Sequence, residues 1–144
     1  MVTSRFNVSL WKGTAPPPED ASDAERAISG GPLYEASDVF ALLKKGPAAV
    51  RLWTRDCNRD VTIKLEWELR DVVELIGHAL KNGKYKNSEW CTSGLDGPAA
   101  ACDAYVLRRK EWNKAAQREM VFEYFVKFAI SSTGAVLLVA SCHV

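Results

Sequence analysis

Along the chain the apolar positions change period once, from helical spacing in the first half to alternation in the second. Val39, Phe40, Leu42 and Leu43 recur at helical spacing behind an N-cap residue, which predicts a helix from Ser37 or Asp38 to Lys45. Lys44 and Lys45 suit the negative end of its dipole, and Gly46-Pro47 stops it. A short apolar run, Ala48 to Trp53, precedes helix-start residues at Thr54 and Asp56. From Val61, a broad stripe through Ile63, Leu65, Leu69, Val72, Val73, Leu75, Ile76, Ala79 and Leu80 predicts the strongest helix of the chain, ending at Lys81-Asn82-Gly83. A break near Glu66 divides it in two, because one capped helix of that span is long for a small domain.

Beyond Gly83 the texture is extended. Tyr85 to Cys91 and Ala101 to Arg109 read as strands around a turn at Thr92 to Pro98. In the clearest strand, Met120 to Ile130, Phe122, Tyr124, Val126, Phe128 and Ile130 share one face, while Glu123, Phe125 and Lys127 share the other. Ser131 to Gly134 turns this strand onto a last one, Ala135 to His143. Helices followed by a small antiparallel β-sheet predict an α+β sandwich with one sheet face left available. Residues 1–33 read as an N-terminal extension. Their alternating piece, Phe6 to Trp11, is either an edge strand or loosely ordered, and Pro16-Pro17-Pro18 blocks helix there.

Composition narrows the classes. A chain of 144 residues with 47% hydrophobic and 26% charged side chains forms one core without a metal or disulfide staple. A net charge of +1 excludes a protein whose whole surface grips nucleic acid or anionic lipid, and leaves a local basic site open. The four cysteines, Cys57, Cys91, Cys102 and Cys142, lack zinc-type spacing. No uninterrupted apolar stretch reads as a secretory signal or a membrane span, so a cytoplasmic protein with reduced thiols, no metal and no cofactor is expected.

The available sheet face carries a carboxylate, a ring and an ammonium. Metal-free RNA cleavage needs a base for the 2′-hydroxyl proton, a cation for the phosphorane oxygens and an acid for the leaving 5′-oxygen. Glu123 or His143 is the candidate base, Lys127, Lys86 or Arg108 the cation, and His143 or Tyr105 the acid. Charged residues alternating on a solvated strand need no function, so periodicity alone leaves this open. Among the tryptophans, Trp67 reads as buried, while Trp90 and Trp112, in polar surroundings, are candidates for an exposed contact surface. Arg108, Arg109 and Lys110 offer phosphate contacts.

These residues fall in collinear pieces. They are Tyr34-x-x-x-x-Val39-x-x-Leu42, Val50-Arg51-Leu52-Trp53-Thr54, Val72-Val73-x-x-Ile76, Tyr85-Lys86-x-Ser88, Cys102-Asp103-Ala104-Tyr105, Phe125-Val126-Lys127-Phe128 and Leu138 to His143. From Tyr34 onward they resemble the MqsR-like branch of the RelE-type toxins, mRNA interferases of bacterial toxin–antitoxin pairs. The resemblance implies a toxin-like α+β domain at 34–144 that cleaves RNA, ribosome-bound or free, and is covered by a protein antitoxin. It marks Lys86 as catalytic or phosphate-binding, with Tyr85, Tyr105 and Lys127 on the same surface. Cys102 stands where the family often has Gln, Phe125 where it has Tyr, and His143 where it has Lys. A strand Glu beside a last-strand His also resembles the wider barnase, colicin and RelE group, which pairs Glu123 with His143. Two other classes stay open: a non-catalytic protein-binding module, and a cysteine enzyme pairing Cys102 with His143.

Overall fold

Alternation in the last third of the chain produces the longest strands. A computed structural model describes residues 5–18, 20–94 and 97–144. Leu95 and Asp96 of the predicted Thr92 to Pro98 turn, and residues 1–4 and Glu19 of the N-terminal segment, lie outside the described residues.

Helix α1 spans Asp23–Arg26 and runs into strand β1, Ala27–Ile28. Helix α2 spans Ala36–Lys44 and strand β2 Val50–Leu52. Helix α3 covers Arg55–Arg59 and α4 Leu69–Asn82. The remaining strands are β3 (Lys84–Thr92), β4 (Ala99–Asn113), β5 (Arg118–Ile130) and β6 (Leu137–His143). They form one six-stranded open sheet in the order β1-β3-β4-β5-β6-β2, antiparallel throughout except where β2 runs parallel to β6.

The class is α+β. The expected order, helices first and sheet last, needs a correction: β1 and β2 lie among the helices and form the two edges of the sheet. Strands of two and three residues are too short to show alternation, which is why the pattern missed them. The Phe6 to Trp11 piece forms two isolated bridges, Asn7 with Ala99 and Ser9 with Ser131, and the edge strand is Ala27–Ile28.

The predicted break near Glu66 has a backbone cause. A π-turn at Asp60–Lys64 ends with the Leu65 amide donating to the Asp60 carbonyl, and Glu66 takes a left-handed φ of 56°. The chain can then restart at Glu68, whose amide donates to the Asp71 carboxylate at 2.9 Å at the start of α4. Val72, Leu75, Ile76 and Ala79 of α4 and Val39, Leu42 and Leu43 of α2 bury one stripe each. They join Tyr105, Leu107, Tyr124, Val126 and Phe128 of the sheet in one core.

The N-terminal segment packs on the same sheet face. The amides of Leu33 and Tyr34 donate to the buried Asp103 carboxylate at 2.9–3.1 Å, and the Ser88 hydroxyl donates to it at 2.6 Å. The Tyr34 hydroxyl donates to the Ala101 carbonyl at 2.6 Å, and Trp11 packs on Trp90. With one face covered, the other carries the polar residues.

Candidate functional site

Period two places Glu123, Phe125 and Lys127 opposite the core face, as their alternation requires. Register then fixes their neighbours. His143 pairs with Phe125, Ser141 with Lys127, and Val106 stands on the other side of Phe125. The His143 ring stacks on Phe125, with centroids 5.2 Å apart and planes 24° from parallel.

Lys86 reaches this ring through an irregularity. Tyr85 pairs with Tyr105 and Asn87 with Ala104, so Lys86 is the extra residue of a bulge. Bulges re-aim a side chain. Its Nζ lies 5.1 Å from the Phe125 centroid, and Lys127 Nζ lies 5.5 Å away. One exposed-face aromatic ring therefore gathers two ammonium groups and an imidazole.

Lys127 is also ion-paired with Glu89 of β3, reaching across Ala104, whose methyl leaves the path clear. Burial pulls the Lys127 ammonium down, but the negative groups at Cys91 and Glu89 outweigh it and hold its pKa above the ordinary value. Lys127 thus carries its charge throughout the neutral range. The pair stands in an open cleft of about 620 Å³, lined also by Asp23, Arg26, Thr54, Asp56 and Ser141. Thr54 fixes one wall: its hydroxyl accepts from the Cys57 amide at 3.1 Å, capping α3, and donates to the Ala140 carbonyl at 2.8 Å. Ala140 is the extra residue of a second bulge, in β6. Among the described residues, no group of three or more His, Cys, Asp or Glu is arranged to hold a metal ion.

Of the residues expected at the site, the fold brings together Lys86, Phe125, Lys127 and His143. Glu123 and Arg108 share the open face but pair with each other at 4.0 Å, both exposed, and Glu123 makes no hydrogen bond to His143 among the described residues. Four expectations need correction. Tyr105 lies on the core face, stacked on Phe128 at 5.7 Å and edge-on to Tyr85, and burial raises its pKa. Tyr85 faces the same way and hydrogen-bonds Ser88. Trp90 is buried with Ala99 and Ala101 under Trp11. Arg109 turns inward, over the rings of Trp67 and Tyr124, with its Nε donating to Glu111 at 2.7 Å. In each case odd parity along β4, or its register partner on β3, selects the core face, and polar sequence neighbours hid that parity.

The alternation of Asn87, Glu89 and Cys91 was the signal for Glu89, which sequence reasoning missed. Arg26 and Asp56 gave no local signal, because their approach to the cleft depends on long-range pairing of β1 and β2.

Cys102 is fully buried, so it is neither a nucleophile open to solvent nor a partner for His143, which stacks on Phe125 at the other end of the face. Burial raises its thiol well above the usual range, and burial likewise pushes Cys57 and Cys142 up to about 12. Cys91 is only partly buried and lines the cleft, and the neighbouring Cys102 thiol, aided by Lys127, outweighs burial and lowers its pKa. In native protein near pH 8, a thiol reagent is expected to modify one cysteine, which peptide mass mapping should locate at Cys91. Preferential modification of Cys102 would contradict this geometry.

No family model matches the sequence, no curated protein matches it, and no solved structure matches the fold.

Proposed function

We propose that the open sheet face binds single-stranded RNA and cleaves it without a metal, as an mRNA interferase of MqsR-like or RelE-like type whose activity a protein antitoxin restrains. The observation that carries this reading is the convergence of Lys86, Lys127 and His143 on the Phe125 ring. An aromatic ring is a platform for a base, and cations beside it suit the adjoining phosphate.

The reaction assigned to this site is attack of the 2′-oxygen on the neighbouring phosphorus. The 2′-hydroxyl gives its proton to a base, the P–O5′ bond breaks, and the departing 5′-oxygen takes a proton. The products are a 2′,3′-cyclic phosphate and a 5′-hydroxyl. His143 is the residue suited to proton transfer, since one nitrogen of an imidazole can take a proton while the other gives one. Lys86 and Lys127 supply positive charge where the phosphorane oxygens become more negative. Glu89 holds Lys127 in position and is a second group able to accept a proton in the cleft.

An RNA carrying 2′-deoxy sugars throughout removes the nucleophile and keeps bases and phosphates. Such strands are expected to bind and stay intact while the matching RNA is cut. Phe125→Ala should weaken their binding by about 1–3 kcal/mol, or roughly 5- to 150-fold, as read by fluorescence anisotropy. Cleavage of the all-deoxy strand would overturn the mechanism, and unchanged binding by the Phe125 variant would remove the platform.

A further inference from the structure

The β4–β5 hairpin continues well past the Phe125 platform. Register places Val106, Arg108, Lys110 and Trp112 of β4 on the platform's face, opposite Phe125, Glu123, Val121 and Glu119 of β5. At the far end Trp112 is 63% and Val121 54% exposed. Tryptophan suits a contact surface because its large apolar ring carries a polar edge.

The back of this arm is tied down. Glu111 accepts hydrogen bonds from the Tyr124 hydroxyl and from Arg109 Nε, both at 2.7 Å, and the Arg109 guanidinium lies 5.0 Å from the Tyr124 ring and 5.7 Å from that of Trp67. Odd-numbered β4 residues thus anchor the arm to the body, and the even-numbered ones are held out on the open face.

Charge complementarity selects the occupant. Lys84 and Lys86 on β3 and Arg108 and Lys110 on β4 form a row of cations along one side of the face. Glu123, opposite Arg108, and Glu119, diagonal to Lys110, hold these cations only at 4.0 and 3.7 Å, with every partner more than 60% exposed. Exposed pairs of this kind contribute little and yield readily to a phosphate.

We infer that the arm is a second nucleotide subsite, in which Trp112 stacks a base and Arg108 and Lys110 contact the phosphates that lead to it from Phe125. This rests on the reading of the open face as an RNA site. Trp112 stands six positions along the strand from Val106, the neighbour of Phe125, a distance of about 20 Å at the usual rise. Only a strand of about four or more nucleotides spans such a gap, within the usual site size of one small domain. The arm therefore reads the length of its substrate, and a trinucleotide occupies the Phe125 end alone.

The test measures binding of 2′-deoxy oligonucleotides of three and eight nucleotides, randomised in sequence, to the full chain by fluorescence anisotropy. Trp112→Ala should weaken the longer strand about 5- to 150-fold, as loss of one stacked base does, and leave the shorter one within twofold. Trp112→Phe should recover most of the loss. Lys110→Ala should make the salt dependence of the longer strand less steep by about one ion. If Trp112→Ala binds both lengths as the wild type does while Phe125→Ala weakens both, the subsite is overturned, the indole is left to a protein contact, and the RNA reading stands. Equal weakening of both lengths by Trp112→Ala also overturns the subsite. If wild-type protein binds neither strand, the reading of the whole face fails and the subsite with it.

Discussion

Asp103→Ala is expected to lower stability by about 4 kcal/mol. Its carboxylate sits fully buried on the core face and accepts from the Leu33 amide, the Tyr34 amide and the Ser88 hydroxyl. Ser88 in turn is hydrogen-bonded to the Tyr85 hydroxyl at 2.6 Å. Alanine would leave the buried Tyr34 amide and the half-buried Leu33 amide without their acceptor and leave Ser88 with only the Tyr85 hydroxyl, and hydrogen bonds to a charged group are each worth about 1.5–3 kcal/mol. Partial relaxation keeps the total below their sum. Against a domain stability of about 5–15 kcal/mol, this loosens the attachment of the chain before α2, and the melting temperature should fall by roughly 10–15 °C. Asp103→Asn should recover only part, because an amide nitrogen turned toward these donors cannot accept from them. Urea and thermal unfolding followed by circular dichroism measure both variants, and a loss under 1 kcal/mol for the alanine variant would refute this account of Asp103.

His143→Ala is expected to lower RNA cleavage by about 10²–10⁴-fold at unchanged folding, equivalent to about 3–5 kcal/mol of transition-state stabilisation. The residue ends β6 and is only partly buried, so its removal exposes one face of the Phe125 ring and opens no core cavity. The two kinetic constants separate its roles. Loss of stacking alone would raise KM, whereas loss of proton transfer lowers kcat. Single-turnover cleavage at saturating enzyme reads the chemical step directly. A rate within threefold of wild type would remove His143 from proton transfer and leave Glu89 as the group to replace next.

The contrast between these residues shows what the sequence could disclose. Alternation in Met120 to Ile130 correctly separated Phe122, Tyr124, Val126 and Phe128 from Glu123, Phe125 and Lys127, because period two holds wherever one face is buried. Helical spacing found α2 and α4, and the break at Glu66 followed from the length of the stripe. The site was half legible. Lys86, Phe125, Lys127 and His143 were named from residue type and resemblance, but their meeting at one ring depends on the bulge at Lys86 and on the β5–β6 register, neither of which has a local signature. Glu89 stayed hidden because its partner lies two strands away. Tyr85 and Tyr105 illustrate the converse: residues in a motif read as chemistry belong to the packing around Asp103 and Phe128. The Asp-x-Tyr triplet at Asp103 and Tyr105 is explained here by burial, since both members share the core face.

If this face cuts RNA through the RNA's own 2′-hydroxyl, the ends of the fragments carry the signature of that reaction. Purified protein should be incubated with a 5′-labelled single-stranded RNA in excess chelator, and the fragments analysed by mass spectrometry. Cleavage is expected to be undiminished by the chelator, to leave a 2′,3′-cyclic phosphate on one fragment and a 5′-hydroxyl on the other, and to be nearly lost in His143→Ala. Fragments ending in a 3′-hydroxyl, or RNA left intact by wild-type protein across varied sequences and with ribosomes present, would contradict it.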